Sequence, residues 1–261
     1  MRAIIEGLSE IQRRERLQQA LTLSETSVSQ GIGTQKERTL HSVLKYYLEP
    51  DAEYHEIPIG SFIADIYRDD RIIEVQTGSF TPLAKKLDAF LPEFPVTIVY
   101  PIPWHKWVHW IQPDTGEVSK GRRSPKTGHL YMLLPELYRI RPYLMHPHLC
   151  LLPILIDLRE YRYQDGWGRD GKRGSHRADR VPFEIGPTKL LTGPADYISL
   201  LPDSLPESFT MKDFIKATRF SPRSASYALS ALREIGVARQ IGQQGRSYLY
   251  TITEEETFHA L

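Results

Sequence analysis

Two apolar runs, Ser61–Tyr67 and Arg71–Gln76, flank the polar turn Arg68-Asp69-Asp70 within the stretch IPIGSFIADIYRDDRIIEVQTG. Short apolar runs bounded by turn residues predict two antiparallel strands joined as a hairpin. Three polar residues interrupt the runs: Asp65, Glu74 and Gln76. Strand side chains alternate faces, so Glu74 and Gln76 point one way and Val75 the other. A hairpin brings Asp65 beside them. Two carboxylates converging on an apolar sheet repel each other unless a cation sits between them. A hard divalent metal with oxygen ligands fits that need.

The rest of the chain bounds what can surround such a hairpin. Its 261 residues suit one large domain, or a medium domain with a small appendage. A net charge of +1 gives no global attraction to nucleic acid, so any basic surface must be local. The single cysteine, Cys150, excludes an intramolecular disulfide framework and suits a reducing, cytoplasmic setting. The first residues lack an apolar stretch followed by a small-residue cleavage site, so no secretory signal is expected. The most apolar stretch, Leu144–Leu158, is broken by Pro147 and Pro153. It is too short to span a bilayer and reads as buried strand, so no membrane partner is expected.

Residues 1–33 form an N-terminal segment, with Ile4, Ile5, Leu8, Ile11, Leu17 and Leu21 at roughly helical spacing. Ser24–Gln30, Gly31 and Gly33 read as a linker. A docking or dimerising helix, with a second copy of the chain as partner, is the expectation here. Thr34-Gln35-Lys36-Glu37 fits a capping box, and Leu40, Val43, Leu44, Tyr47 and Leu48 then line one helical face. Glu37 is therefore either a helix cap or a functional carboxylate. Beyond the hairpin, Leu83, Leu87, Phe90 and Leu91 predict a helix closing before Pro92. Val96–Tyr100 and Trp107–Ile111 are strongly β-like. This order predicts a central sheet with helices on its faces, an α/β (α+β) fold over residues 34–200.

Two stretches are basic. SKGRRSPKTGH at 119–129 holds Arg122, Arg123 and Lys126, and Gly166–Arg180 holds Lys172, Arg173 and Arg177. Each is either a solvated loop or a phosphate-contacting one, and together they suggest a local electrostatic footprint. His146, His148 and Cys150 alternate but lack a second ligand pair at structural-zinc spacing, so they are expected to be ordinary sheet residues.

Residues 203–261 change character again. Phe209–Ile215 starts a short helix, and Ser221-Pro222 opens a second one that Gly236 is placed to stop. Val237–Ile241 and Arg246–Ile252 flank Gly242-Gln243-Gln244-Gly245, a glycine-bounded hairpin turn. Helix, turn, helix, hairpin is the order of a small winged-helix domain. Arg223, Tyr227 and Arg246 are its candidate nucleic-acid contacts, and a protein-docking role is the alternative.

With Glu37 on a first helix, Asp65 on one strand and Glu74-Val75-Gln76 on the next, residues 34–111 resemble the PD-(D/E)XK nuclease superfamily. Thr34–Tyr47, Phe62–Ile66 and Ile73–Leu91 are also similar to an uncharacterised bacterial group within it, often ending in a helix-turn-helix. The resemblance implies a restriction-endonuclease-like mixed central sheet flanked by helices, and a metal-dependent nuclease acting on DNA. It implies Asp65, Glu74 and the Val75 carbonyl as ligands of Mg²⁺ or Mn²⁺, with Glu37 and Gln76 completing the catalytic set. Two positions depart from the pattern. Ala64 stands where proline precedes the aspartate, and Gln76 stands where the family has lysine. Glutamine offers a neutral amide in place of a cation, although some active restriction enzymes of this superfamily carry it. Lys85 or Lys86 on the following helix is then the candidate source of positive charge. A catalytically inactive nuclease-like DNA-binding or regulatory protein is the alternative, and RNA stays open as a substrate.

Overall fold

The computed structural model describes residues 8–29, 39–167 and 173–253. They form a mixed α/β arrangement, a central mixed sheet flanked by helices. Helices α1 (Glu10–Ser29) and α2 (Thr39–Leu48) precede strands β1 (His55–Ile59), β2 (Phe62–Arg68) and β3 (Arg71–Val75). Next come α3 (Leu83–Phe90), β4 (Val96–Ile111), β5 (Arg122–Arg123), α4 (Leu134–Leu137) and β6 (Leu149–Tyr163). The short strands β7 (Gly166–Trp167) and β8 (Arg173–Gly174) pair with each other, followed by β9 (Arg177–Thr188) and α5 (Pro194–Ile198). The last described elements are β10 (Ser208–Thr210), α6 (Met211–Thr218), α7 (Pro222–Glu234), β11 (Ala238–Gln244) and β12 (Ser247–Ile252).

The main sheet has the order β1-β2-β3-β4-β6-β9, with β5 paired to β4. The pairs β2–β3 and β6–β9 are antiparallel while β3–β4 is parallel, which makes the sheet mixed. The chain divides into two compact units. The first is Met1–Ile57, Pro101–His129 and Ile154–Thr188; the second is Pro58–Tyr100, Leu130–Pro153 and Lys189–Leu261.

In the first unit, α1 starts with a capping pair. Ser9 Oγ accepts from Gln12 N at 3.2 Å, and Gln12 Oε1 accepts from Ser9 N at 2.8 Å. The helix continues through Ser24, expected as the start of a linker, because Leu17, Ala20 and Ser24 form one buried stripe. Ser24 donates to Ser42 Oγ on α2 at 2.8 Å, so a residue of poor helical propensity is held by tertiary contact. Arg16 donates to the carbonyls of Tyr47 and Leu48, satisfying orphan acceptors at the end of α2. The capping-box residues Thr34 and Glu37 lie outside the described residues.

In the second unit, β2 and β3 are joined by Asp69 and Asp70, both left-handed at φ 51° and 55°. This is the twist-compatible geometry of a two-residue hairpin turn, and aspartate tolerates it. Helix α3 buries Leu83, Leu87 and Phe90, with Phe62 edge-on to Phe90 at 6.1 Å between centroids.

The C-terminal elements fold around Phe209, Phe214, Leu229, Leu232 and Tyr250, all buried. Thr210 and Asp213 make a reciprocal capping box on α6, and Ser221 with Pro222 starts α7. The sheet order here is β10-β12-β11. The hairpin turn is the pair Gly245-Arg246, tighter than the four residues expected; Gly245 takes φ +61°, and a register shift beside Gly242 absorbs the difference. Helix α7 packs on α4 and on the 3-10 turn Tyr138–Tyr143: Tyr227 stacks on Tyr138 at 4.3 Å, and Arg141 donates to Ser230 Oγ at 2.9 Å. The helix pair is thus joined to an upstream segment of the same unit.

Phe214→Ala is expected to cost about 3–5 kcal/mol, the transfer and cavity loss of a fully buried ring. Lys212→Ala on the exposed side of α6 should stay within about 0.5 kcal/mol of the wild type. Denaturant unfolding followed by tyrosine and tryptophan fluorescence checks both.

Candidate functional site

The hairpin brings its two acids together. Asp65 Oδ2 accepts from Val75 N at 2.7 Å, and Glu74 Oε1 accepts from Asp65 N at 3.3 Å. Each carboxylate is therefore held by the backbone of the opposite strand, and the register Ile66↔Ile73 enforces that pairing. Glu74 is only 3% exposed.

A third group arrives from α3. Lys86 Nζ donates to Glu74 Oε2 at 2.6 Å. Lys86 shares the stripe of Leu83, Leu87 and Phe90 at helical spacing, so packing of that stripe aims its ammonium at the sheet. Lys85, one position away, is exposed. Of the two lysines available in the sequence, tertiary packing selects Lys86.

Gln76 lies just beyond β3. Its Nε2 donates to Ser79 O at 3.0 Å, and its backbone N–H donates to Val99 O at 2.8 Å. The amide is thus turned toward the end of the 77–79 segment.

Electrostatics set this cluster apart. Burial, and secondly the neighbouring charge of Asp65, push the Glu74 carboxyl up to about 7 from an ordinary 4.5. Lys86 and the Asp65 N–H pull in the other direction without offsetting the rise. Ionisation of Glu74 is therefore disfavoured even with the lysine in place. The pair's donors are hard oxygens, the set that Mg²⁺ or Mn²⁺ takes, and Asp65, Glu74 and the Val75 carbonyl are the residues that would hold such an ion. Among the described residues no group of three His, Cys, Asp or Glu side chains is placed around a common metal position. Glu37, the further carboxylate expected from the sequence, lies outside the described residues.

The other expected residues fall elsewhere. Arg122 and Arg123 are exposed on β5, which is strand where a loop was expected, because Trp107 and Val108 of β4 pair with them. Lys126 is exposed beyond them. Arg177 begins β9 and is half-buried, while Lys172 and the Arg173 side chain lie outside the description. Arg223 is exposed and donates to the Tyr227 hydroxyl at 2.9 Å. Tyr227 itself is half-buried, its ring packed on Tyr138 with Arg139 5.3 Å from its centroid. Arg246 is exposed at the hairpin turn. His148 Nδ1 lies 2.9 Å from Leu91 O and 5.4 Å separates its ring from His146, a packing arrangement. Among the described residues no helix is long and apolar enough to cross a membrane.

A mixed α/β fold with a half-buried aspartate, a buried glutamate and a lysine beside it describes the class of molecule. The chain belongs to the family of a domain of unknown function (DUF8091), whose model matches residues 38–192. That span includes Asp65, Glu74, Gln76 and Lys86 and ends before β10. The chain is also 30% identical over 220 residues to an "Uncharacterized protein" of Treponema pallidum (strain Nichols), covering 84% of this chain and 86% of the relative. No solved structure matches.

The raised Glu74 carboxyl makes a pH prediction. The folded state holds a proton on this group up to about pH 7, whereas the unfolded chain releases it near 4.5. Folded protein thus binds more protons in that window, and the Glu74 contribution to stability falls as pH rises from 4.5 to 7. In EDTA, Glu74→Gln should flatten the thermal midpoint of unfolding across this window and raise it relative to wild type at pH 8. Parallel curves for the two proteins would contradict the assignment.

Proposed function

We propose that the chain is a metal-dependent nuclease of the restriction-endonuclease-like type that hydrolyses DNA phosphodiester bonds. One observation carries this reading: a half-buried Asp65 and a buried Glu74 brought together on a sheet hairpin, with Lys86 held on Glu74 by the following helix. Bound by Asp65, Glu74 and the Val75 carbonyl, Mg²⁺ or Mn²⁺ would polarise the scissile phosphate and lower the pKa of an attacking water. Lys86 takes the part of the lysine that Gln76 replaces. Its ammonium reaches the carboxylates from the helix side and offsets the negative charge that develops on the phosphoryl oxygens. Gln76, with its amide nitrogen on Ser79, keeps its Oε1 as an acceptor that orients water. Water oxygen attacks phosphorus, the ester P–O bond breaks, and the proton released by water ends on the leaving oxygen or in solvent. The elements from β10 to β12 act as a winged helix, with exposed Arg223 and Arg246 contacting DNA phosphates.

A second reading has its own support. Lys86 at 2.6 Å from Glu74 is itself a cation for the carboxylate pair, the arrangement expected of a nuclease-like DNA-binding protein without catalysis. Calorimetric titration separates the two: a Mg²⁺ or Mn²⁺ site that disappears in Glu74→Gln belongs to the nuclease reading.

Purified protein should cleave plasmid or linear DNA in Mg²⁺ or Mn²⁺. Asp65→Asn and Lys86→Met should each lower the rate by on the order of 100-fold or more, with Lys85→Met unchanged. Equal cleavage by wild type and Asp65→Asn would sink the proposal.

A further inference from the structure

The first unit carries a second chemical surface with no part in the carboxylate site. Its sheet is two-sided. On one face Ile156, Leu158, Glu160 and Arg180 are buried, and Glu160 accepts from Lys106 at 3.1 Å and from Arg162 at 2.6 Å. On the other face, β4, β6 and β9 present aromatic rings that are only half-buried. Trp107 and Phe183 meet edge to face at 5.2 Å, and His109 stacks with Tyr161 at 5.0 Å.

Two arginines stand among these rings. Arg123, opposite Trp107 in register, places its guanidinium 5.8 Å from the Trp107 centroid. Arg159 lies 5.0 Å from the Phe183 centroid. Both are exposed, and neither makes an ion pair among the described residues. Three acids share this face. Asp157 is buried and accepts from the His105 backbone, with its Oδ1 2.8 Å from the His105 ring, and Asp179 accepts from the Thr39 hydroxyl and from Arg180 N. Glu184, opposite Asp157, is half-buried. The face therefore combines half-buried aromatic rings with two exposed arginines that lie against them.

We propose that this face is a platform for single-stranded DNA. Unpaired bases have exposed π faces that stack on aromatic rings or on arginine planes, and a phosphate backbone follows the positive charge. A duplex hides its bases in its own stack and offers such a platform its backbone alone. The proposal rests on the DNA reading given above and adds that the favoured substrate region is unpaired: a fork, flap, gap or single strand.

The test is fluorescence anisotropy with labelled oligo-dT, the matching dA·dT duplex and oligo-U, in EDTA to prevent cleavage. Full-length protein should bind oligo-dT more tightly than either of the others. Tyr161→Leu and Phe183→Leu should each weaken oligo-dT binding by about tenfold with the salt slope unchanged. Arg123→Gln, an exposed substitution that leaves the core intact, should reduce the salt slope by roughly 0.7, the loss of one phosphate contact. Unchanged oligo-dT affinity in all three variants, or tighter binding of the duplex or of oligo-U, overturns the platform. Binding is read in EDTA and cleavage in Mg²⁺, so the two proposals fail separately. Platform behaviour without any DNA cleavage removes the nuclease reading alone; cleavage with wild-type affinity in the three variants removes the platform alone.

Discussion

Burying Glu74 next to Asp65 opposes folding, since desolvation and like charge both penalise the ionised carboxylate. Everything close to the pair acts on that penalty. The turn at Asp69-Asp70 sets the register, the register lets each strand's backbone N–H reach the other strand's acid, and α3 supplies an ammonium. Shifting the hairpin by one residue would send Asp65 to the other face and leave Glu74 with the lysine alone. The penalty that remains leaves Glu74 receptive to a proton.

Helix packing decides how that charge is supplied. A lysine in an E-x-K pair would stand on the strand, two positions after the glutamate. Here that position, just past the strand, holds Gln76, whose amide turns to Ser79, and the cation arrives on Lys86 through the stripe Leu83, Leu87 and Phe90. Positive charge therefore reaches Glu74 from the following helix. The family model spans this whole arrangement and ends at residue 192.

Those C-terminal elements also use their residues in two ways. Arg223 and Arg246 face solvent, whereas Tyr227 is committed to Tyr138 and Arg139 within its own unit. Joining α7 to α4 and the following 3-10 turn ties the helix pair to a segment some ninety residues upstream, as the Arg141–Ser230 bond at a separation of 89 illustrates.

The β2–β3 hairpin, the approach of Asp65 to Glu74, the helical stripe of α3 and the helix-helix-hairpin order near the C-terminus were all legible in the amino-acid order. Each rests on local periodicity and turn chemistry, which act over a few residues. Other features needed the folded chain. Helix α1 runs on through Ser24 because Ser42 receives its hydroxyl. Val96–Tyr100 and Trp107–Ile111 are one strand, β4, which pairs with β3 at its start and with β5 near its end. The choice of Lys86 over Lys85, the alignment of Trp107 with Phe183 and the burial that shifts Glu74 all bring together residues distant in the chain. Local pattern specifies which side chains exist on which face. Charge state and partnership depend on solvent exclusion and packing, and only the tertiary structure supplies those.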